Sequence, residues 1–400
     1  MIANQKSICI VSLTRFHYFN LATEIINYKK TSRICVISAW PRLIIKKKWP
    51  KILKVHSGQP SIGAMKKFND LVLKSNFLDA TLSKLFVKKS AKIAKDYDII
   101  IASATNALEL MDRCPKSVVI VDYASFHPTF EREIMTDENT TFGFEKAGNE
   151  KSHWRENKIT EEFQRSDAIF VVSERAKQSV VASGISASKV FSHRYCVDLD
   201  SFPFRNSQPH FSKKLKVIFV GASIPRKGVH RLIEAALRYG KNKIKLTFVG
   251  NKATDAELLK IIDSAAAAGL EMDLVGNVPQ SNLKNYYWKA DVFCLPSLID
   301  GWGMVTNQAA SCGLPLLVSN FAGSSDLVKE GENGFTFDPR DVSQLVEALT
   351  KMHQLSKSEQ RRMSRASRQA AEKFGSWQRH AEDVTANIDQ VLGLKSRSIG

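Results

Sequence analysis

The chain has 400 residues, 44% hydrophobic and 24% charged, with 58 Lys and Arg against 40 Asp and Glu for a formal net charge of +18. That length exceeds one ordinary hydrophobic core and predicts two domains, while the composition excludes disordered and collagen-like classes. The six cysteines, Cys9, Cys35, Cys114, Cys196, Cys294 and Cys312, are scattered with no CxxC or zinc-ligand spacing. Cys9, Cys35 and Cys294 sit in strand-like runs, which predicts buried thiols in a reducing compartment.

The first elements follow an alternating pattern. Ser7 to Leu13, Arg33 to Ser38, Asp98 to Ser103, Ser117 to Asp122 and Ala168 to Ser173 read as strands, with helix-length segments between them. Val118 to Val121 is apolar on both faces, as a strand covered on both sides requires. The pattern predicts a doubly wound α/β domain. It pauses at Phe202 to Pro209, a stretch with linker character, and restarts at Leu215 with strands expected near Val217 to Val220, Ile244 to Val249, Met272 to Val275, Val292 to Leu295 and Leu314 to Ser319. Two helices follow Phe337, the last from Trp377 to Leu392 after a Gly375-Ser376 break. The expected division is 1–204, 205–374 and a C-terminal helix, 375–400, returning towards the first domain.

Charge is unevenly spread, since residues 1 to 100 hold 19 Lys or Arg against 5 Asp or Glu. The segment Trp40 to Lys54 interleaves cations with aliphatic and aromatic residues, and Lys66, Lys67, Lys88 and Lys89 follow. Such a mixture suits an anionic membrane interface across the 40–90 region, and equally a solvated basic surface. It matches no helix-turn-helix, zinc-finger or RNA-binding signature, which argues against nucleic acid. No stretch approaches the roughly 18 uninterrupted apolar residues of a membrane span. A cytoplasmic protein, peripheral at most, is expected.

Three segments of the second half carry chemistry. Gly221 to Gly228 leaves a strand on glycine and enters a helix past Arg226 and Lys227, placing cations where α/β sheets bind ligands. Pro296 to Ala309 places Asp300, Gly301, Trp302, Gly303 and Met304 at a helix start, with Gln308 further along that helix. Phe321 to Val328 offers the amides of Ser324 and Ser325 at a third turn. Each has an ordinary alternative: solvated cations, a glycine-rich cap with Trp302 as core filler, and a plain N-cap.

In order and spacing these segments resemble the C-terminal domain of glycosyltransferase family 4. The matching residues are Gly221 to Gly228, Pro296 to Pro315, Gly323 to Asp326 and Gly331-Glu332-Asn333-Gly334, with Tyr195-Cys196-Val197-Asp198 similar to the family's interdomain segment. The resemblance runs from about Asp167 to Phe337. It implies the GT-B architecture, two Rossmann-like α/β domains facing a cleft, and a retaining transferase that takes a sugar from a nucleotide-sugar.

Residue by residue, the resemblance implies that Lys227, assisted by Arg226, holds the donor diphosphate beside Gly221. Gly301 to Met304 would present amides to the sugar, Asn277 and Val278 would border the nucleobase, and Gly323 and Ser324 would complete the donor site. The family's paired glutamates fall on Asp300 and Gln308. Asp300 keeps the charge, whereas Gln308 loses it but retains an acceptor oxygen. Arg15 and His17 stand on the acceptor side, and His127 is expected to orient substrate in the cleft. The resemblance implies neither cofactor nor metal, and an acceptor that is a glycan or a lipid-linked sugar, as in bacterial surface polysaccharide or lipopolysaccharide synthesis. The departure at Gln308 leaves open a catalytically weak or inactive binding module.

Overall fold

The computed structural model describes residues 6–12, 18–29, 33–38, 54–56, 76–144, 149–205 and 213–399. Two parallel sheets organise them. The first holds β1 (Ile8–Ser12), β2 (Ile34–Ser38), β3 (Lys54–His56), β4 (Ile99–Ser103), β5 (Val118–Tyr123), β6 (Ala168–Val171) and β7 (Val190–Ser192), in the order β3-β2-β1-β4-β5-β6-β7. The second holds β8 (Leu215–Val220), β9 (Ile244–Val249), β10 (Glu271–Gly276), β11 (Val292–Leu295), β12 (Leu316–Ser319) and β13 (Gly334–Phe337), in the order β10-β9-β8-β11-β12-β13. This is the expected pair of Rossmann-like domains.

Pattern predicted the central strands because both their faces are covered: every residue of β1, β2, β5, β6, β11 and β12 is buried. The short outer strands β3, β7 and β13 were not expected as strands. Three or four residues, without a continuous apolar run, carry too little periodicity to stand out.

Phe202 to Arg205 is not the linker its composition suggested. Phe202 lies in the core of the second domain, Ser311 Oγ donates to its carbonyl at 2.5 Å, and Arg205 Nη1 donates to the Ala290 carbonyl at 3.0 Å. Residues 206–209 of that stretch lie outside the described residues. All six cysteines are buried. Among the described residues no helix is long and apolar enough to cross a membrane.

The helix Trp377–Ile399 lies against the first sheet rather than the second. Its Ala381, Val384, Ile388 and Val391 join one core cluster with Ile8, Ile10, Phe19 and Ile101. His380 Nδ1 sits 2.9 Å from the Arg194 carbonyl, and Asn387 donates to the Ser192 carbonyl at 3.2 Å.

The domains also meet through the helix Pro128–Phe142, which begins in the first domain and ends against the second. Its Glu138 receives Arg231 and meets His230, while Phe144 just beyond it joins the second domain's core. Phe142 and Phe144 both pack edge-on to the His230 ring, at centroid distances of 4.6 and 4.8 Å.

Candidate functional site

The loops that leave the carboxyl ends of β8 and β11 are tied to one another. After β8, Pro225–Lys227 forms one 3-10 turn closed by Gly228 at φ +67°. A β-carbon on Gly228 would fall 1.9 Å from the Pro296 carbonyl oxygen, so the turn packs backbone to backbone against the segment after β11. The Arg226 carbonyl accepts from Leu298 N at 3.0 Å, and Arg226 Nη1 donates to the Ile299 carbonyl at 2.7 Å. Arg226 is thus a clamp between loops.

Lys227, next in sequence, reaches Asp300 and forms an ion pair with its Oδ2, both side chains being only about one-sixth exposed (16% and 14%). A partly desolvated pair of this kind is strong, and each partner leaves a costly unpaired charge if the other is removed. The structure therefore joins two residues that sequence reasoning assigned to the donor from separate motifs.

The following residues diverge in role. Gly301 is wedged across the domain seam, where a β-carbon would meet the Ala124 carbonyl oxygen at 2.1 Å. Trp302 is buried, donates from Nε1 to Asn307 Oδ1 at 2.8 Å, and packs with Val172 and Tyr195. Its ring braces the seam and faces no open site. Gly303 takes the left-handed conformation that starts the helix Met304–Ser311, whose first amides lack intrahelical acceptors.

The third turn corrects an expectation. The amides of Gly323, Ser324 and Ser325 donate to the carbonyls of Asp300, Trp302 and Ala322 at 2.8, 2.7 and 2.9 Å, and the Ser324 hydroxyl pairs with Thr306 Oγ1 at 2.8 Å. Gly323 and Ser324 zip the turn to the Asp300–Trp302 loop, so their donors are not available to an anion. Gly323 is also closed in, since a β-carbon there would approach Ser173 Oγ to 2.5 Å.

A cavity of about 900 Å³ lies between the domains, lined among others by Met304, Gln308, Gln280, Lys284, Glu24 and Trp377. Gln308 Oε1 lies 3.1 Å from the Tyr287 hydroxyl, which also donates to the Val305 carbonyl at 3.2 Å. Gly221, Lys227, Arg226 and Asp300 are not in this wall. Asn277 is exposed and donates to Asn251 Oδ1, and half-buried Val278 rests on the second domain's core, just before the helix Gln280–Lys289 that lines the cavity.

His127 is a helix cap rather than a cleft residue. It is 2% exposed, and its Nδ1 accepts from Thr129 N at 3.3 Å at the start of Pro128–Phe142. Its Nε2 is 3.5 Å from Thr160 Oγ1, and its ring lies tilted against that of Phe163. Burial pushes its pKa down, with Glu156 pulling the other way, which keeps the ring neutral for its capping role. Arg15 and His17 lie outside the described residues, as does most of the basic segment; Lys88 and Lys89 are exposed.

The expectation of no metal rests in part on the sequence offering no Asp-x-Asp motif, but it holds two such triplets, Asp96-Tyr97-Asp98 and Asp198-Leu199-Asp200. Asp98 of the first is held by Ser7 N and Oγ, both at 2.8 Å, and by Lys6. Asp198 of the second accepts from Asp200 N and the Ser201 hydroxyl at 3.2 and 2.6 Å. Asp98 is thus tied to the chain just before β1, and Asp198 to its own turn.

Sequence reasoning also missed Glu131. This half-buried carboxyl stands in the first turn of Pro128–Phe142, takes a hydrogen bond from the Ser125 hydroxyl, and lies among Tyr123, Arg155, Arg226 and Asp300. Burial pushes it above the ordinary carboxylate range and the Asp300 charge adds to this, while Ser125, Arg155 and Arg226 oppose. In sequence, an acid in a helix's first turn is an ordinary dipole partner, so no local signal marks it.

Residues 200–370 match the family model described as glycosyl transferases group 1. Glycogen synthase of Mycobacterium tuberculosis is 28% identical over 236 residues, 58% of this chain and 55% of that protein, so the chain spans about half the length of such curated relatives. Among solved structures, sucrose-phosphate synthase of Thermosynechococcus elongatus superposes with a TM-score of 0.73 at 15% identity, covering 98% of this chain and 100% of that one. Anabaena HepE in complex with UDP and glucose covers 96% of this chain and 100% of its own, with a TM-score of 0.65 at 15% identity. These similarities establish the GT-B fold.

Proposed function

We propose that this chain is a retaining, metal-independent glycosyltransferase of the hexosyl type, moving a sugar from a nucleotide-sugar to a glycan or lipid-linked acceptor in bacterial surface polysaccharide or lipopolysaccharide synthesis. The observation that carries this reading is the Lys227–Asp300 pair, formed where the loops after β8 and β11 converge. Ligands of open α/β sheets bind beyond the carboxyl ends of the strands, and this pair stands there. Asp300 neutralises Lys227; an arriving diphosphate takes over the ammonium and leaves Asp300 to a sugar hydroxyl. The match over residues 200–370 contains both residues, and HepE was solved with UDP and glucose.

In this mechanism Lys227 and the amides at the start of Met304–Ser311 stabilise the leaving diphosphate. The acceptor hydroxyl attacks on the face the diphosphate leaves. Gln308, with its oxygen near Tyr287, meets the ribose from the cavity wall. The basic 40–90 region holds the protein to the inner face of the cytoplasmic membrane, which co-sedimentation with anionic vesicles at low and high salt tests.

The deciding experiment is a thermal-shift screen against UDP-, GDP-, ADP- and dTDP-sugars. One nucleotide class raising the melting temperature supports the reading. No shift in a folded sample overturns it and favours a binding module that has lost the donor through Gln308.

A further inference from the structure

We propose that Glu131 is the group that accepts the proton of the incoming hydroxyl. The inference rests on the transferase reading above and adds to it a residue from the first domain.

Glu131 has the position for this role. The helix that carries it starts at the seam, where Gly301 presses on Ala124 and Phe130 meets Phe321 of the second domain edge-on at 5.9 Å. Asp300 and Arg226 act on its carboxyl from the second domain, and Arg155 and Tyr123 stand beside it in the first. Arg175 and Arg340 are one layer out, both over the Phe321 ring. Lys227 is next to Arg226 and paired with Asp300. Geometry agrees: Ser125, which donates to this carboxyl, packs its backbone against Gly301, the residue after Asp300.

It also has unspent capacity. Its one hydrogen-bond partner among the described residues is the Ser125 hydroxyl, which leaves most of its acceptor sites open. Other buried acids of this chain are committed: Glu138 to Arg231, and Glu162 to the amides of Thr105 and Ala107 at 2.7 Å each. Burial raises the Glu131 carboxyl towards the pH at which a general base works best.

The acceptor O–H bond breaks and its proton goes to a Glu131 oxygen, while the acceptor oxygen bonds to the anomeric carbon. The bond from that carbon to the diphosphate breaks, its electron pair leaving with the diphosphate. Glu131 then returns the proton to solvent.

The test compares wild type, Glu131→Gln and Ser125→Ala for nucleotide affinity and for nucleotide release from the donor, with water and a panel of mono- and disaccharides as acceptors. Glu131→Gln is expected to leave nucleotide affinity within about twofold and to slow release about 100-fold or more. The acid limb of the wild-type pH profile should vanish in that variant. Ser125→Ala should shift the limb to higher pH, because Ser125 holds the carboxyl down, an effect a purely structural role does not produce.

A Glu131→Gln protein with wild-type rate and profile overturns the proposal and leaves the transferase intact. So does a wild type that binds nucleotide but consumes donor with none of these acceptors, since a base at the reacting bond acts on water too. A wild type that binds no nucleotide overturns the transferase reading itself, and this one with it.

Discussion

Arg231 of the second domain grips Glu138 of the first through two parallel hydrogen bonds, Nε to Oε1 at 2.8 Å and Nη2 to Oε2 at 2.7 Å. With His230 on the same carboxylate and both acid and imidazole nearly fully buried, this is an interdomain fastening. Replacing Glu138 by Ala strands the two bases, and we expect a loss of about 3–5 kcal/mol, read as a lower melting midpoint or separate melting of the domains.

The same fastening makes the domain contact acid-sensitive. Burial holds His230 below its usual pKa despite Glu138, so the folded state keeps it neutral while the unfolded chain protonates at about pH 6.5. Its contribution is present above that pH and lost as pH falls. Glu138 works the same way: burial opposes, but His230 and Arg231 hold it low, so its contribution disappears only as pH drops through its depressed pKa. Melting temperature should therefore fall between about pH 7 and pH 5, and a His230→Asn variant should flatten the upper part of that fall.

Lys227→Ala removes the cation and leaves Asp300 as a lone, mostly buried charge. Nucleotide-sugar affinity should fall about 10- to 100-fold by calorimetry, as expected for a lost charge-assisted contact. Lys227→Arg should recover part of it.

Gly301→Ala places a methyl group 2.1 Å from the Ala124 carbonyl oxygen. Backbone on both sides must shift, at a cost of about 1–3 kcal/mol. Because the strain falls between domains, small-angle scattering should show a more open particle even where each domain stays folded.

His127→Ala removes a cap, and we expect about 0.5–2 kcal/mol of lost stability. Turnover per folded molecule should stay near wild type, which kinetics on the folded fraction will show.

Those variants also mark how far local sequence reaches. Runs such as Val118 to Val121 declare themselves because both faces are buried, and the spacing from Gly221 to Gly334 exposed the second domain's loops. His127 misled because a histidine before Pro-Thr at a helix start is spelled the same whether its ring caps the helix or faces a cleft. Ser324 misled for a related reason: its amide was spent on Trp302, a partner set by tertiary zipping. Glu131 stayed hidden because its meaning comes from Arg226 and Asp300, far away in sequence and brought near it only by the packing of one domain on the other.

The helix Trp377–Ile399 fills the face of the first sheet with Ala381, Val384, Ile388 and Val391. On the ribosome, then, the domain synthesised first is the one completed last: its sheet, covered on this face in part by the helix Tyr18–Lys29, waits for the rest of its cover while the whole second domain is made. Shortening the chain at 376 should injure the domain farthest away in sequence, leaving the second sheet folded and the first prone to aggregate.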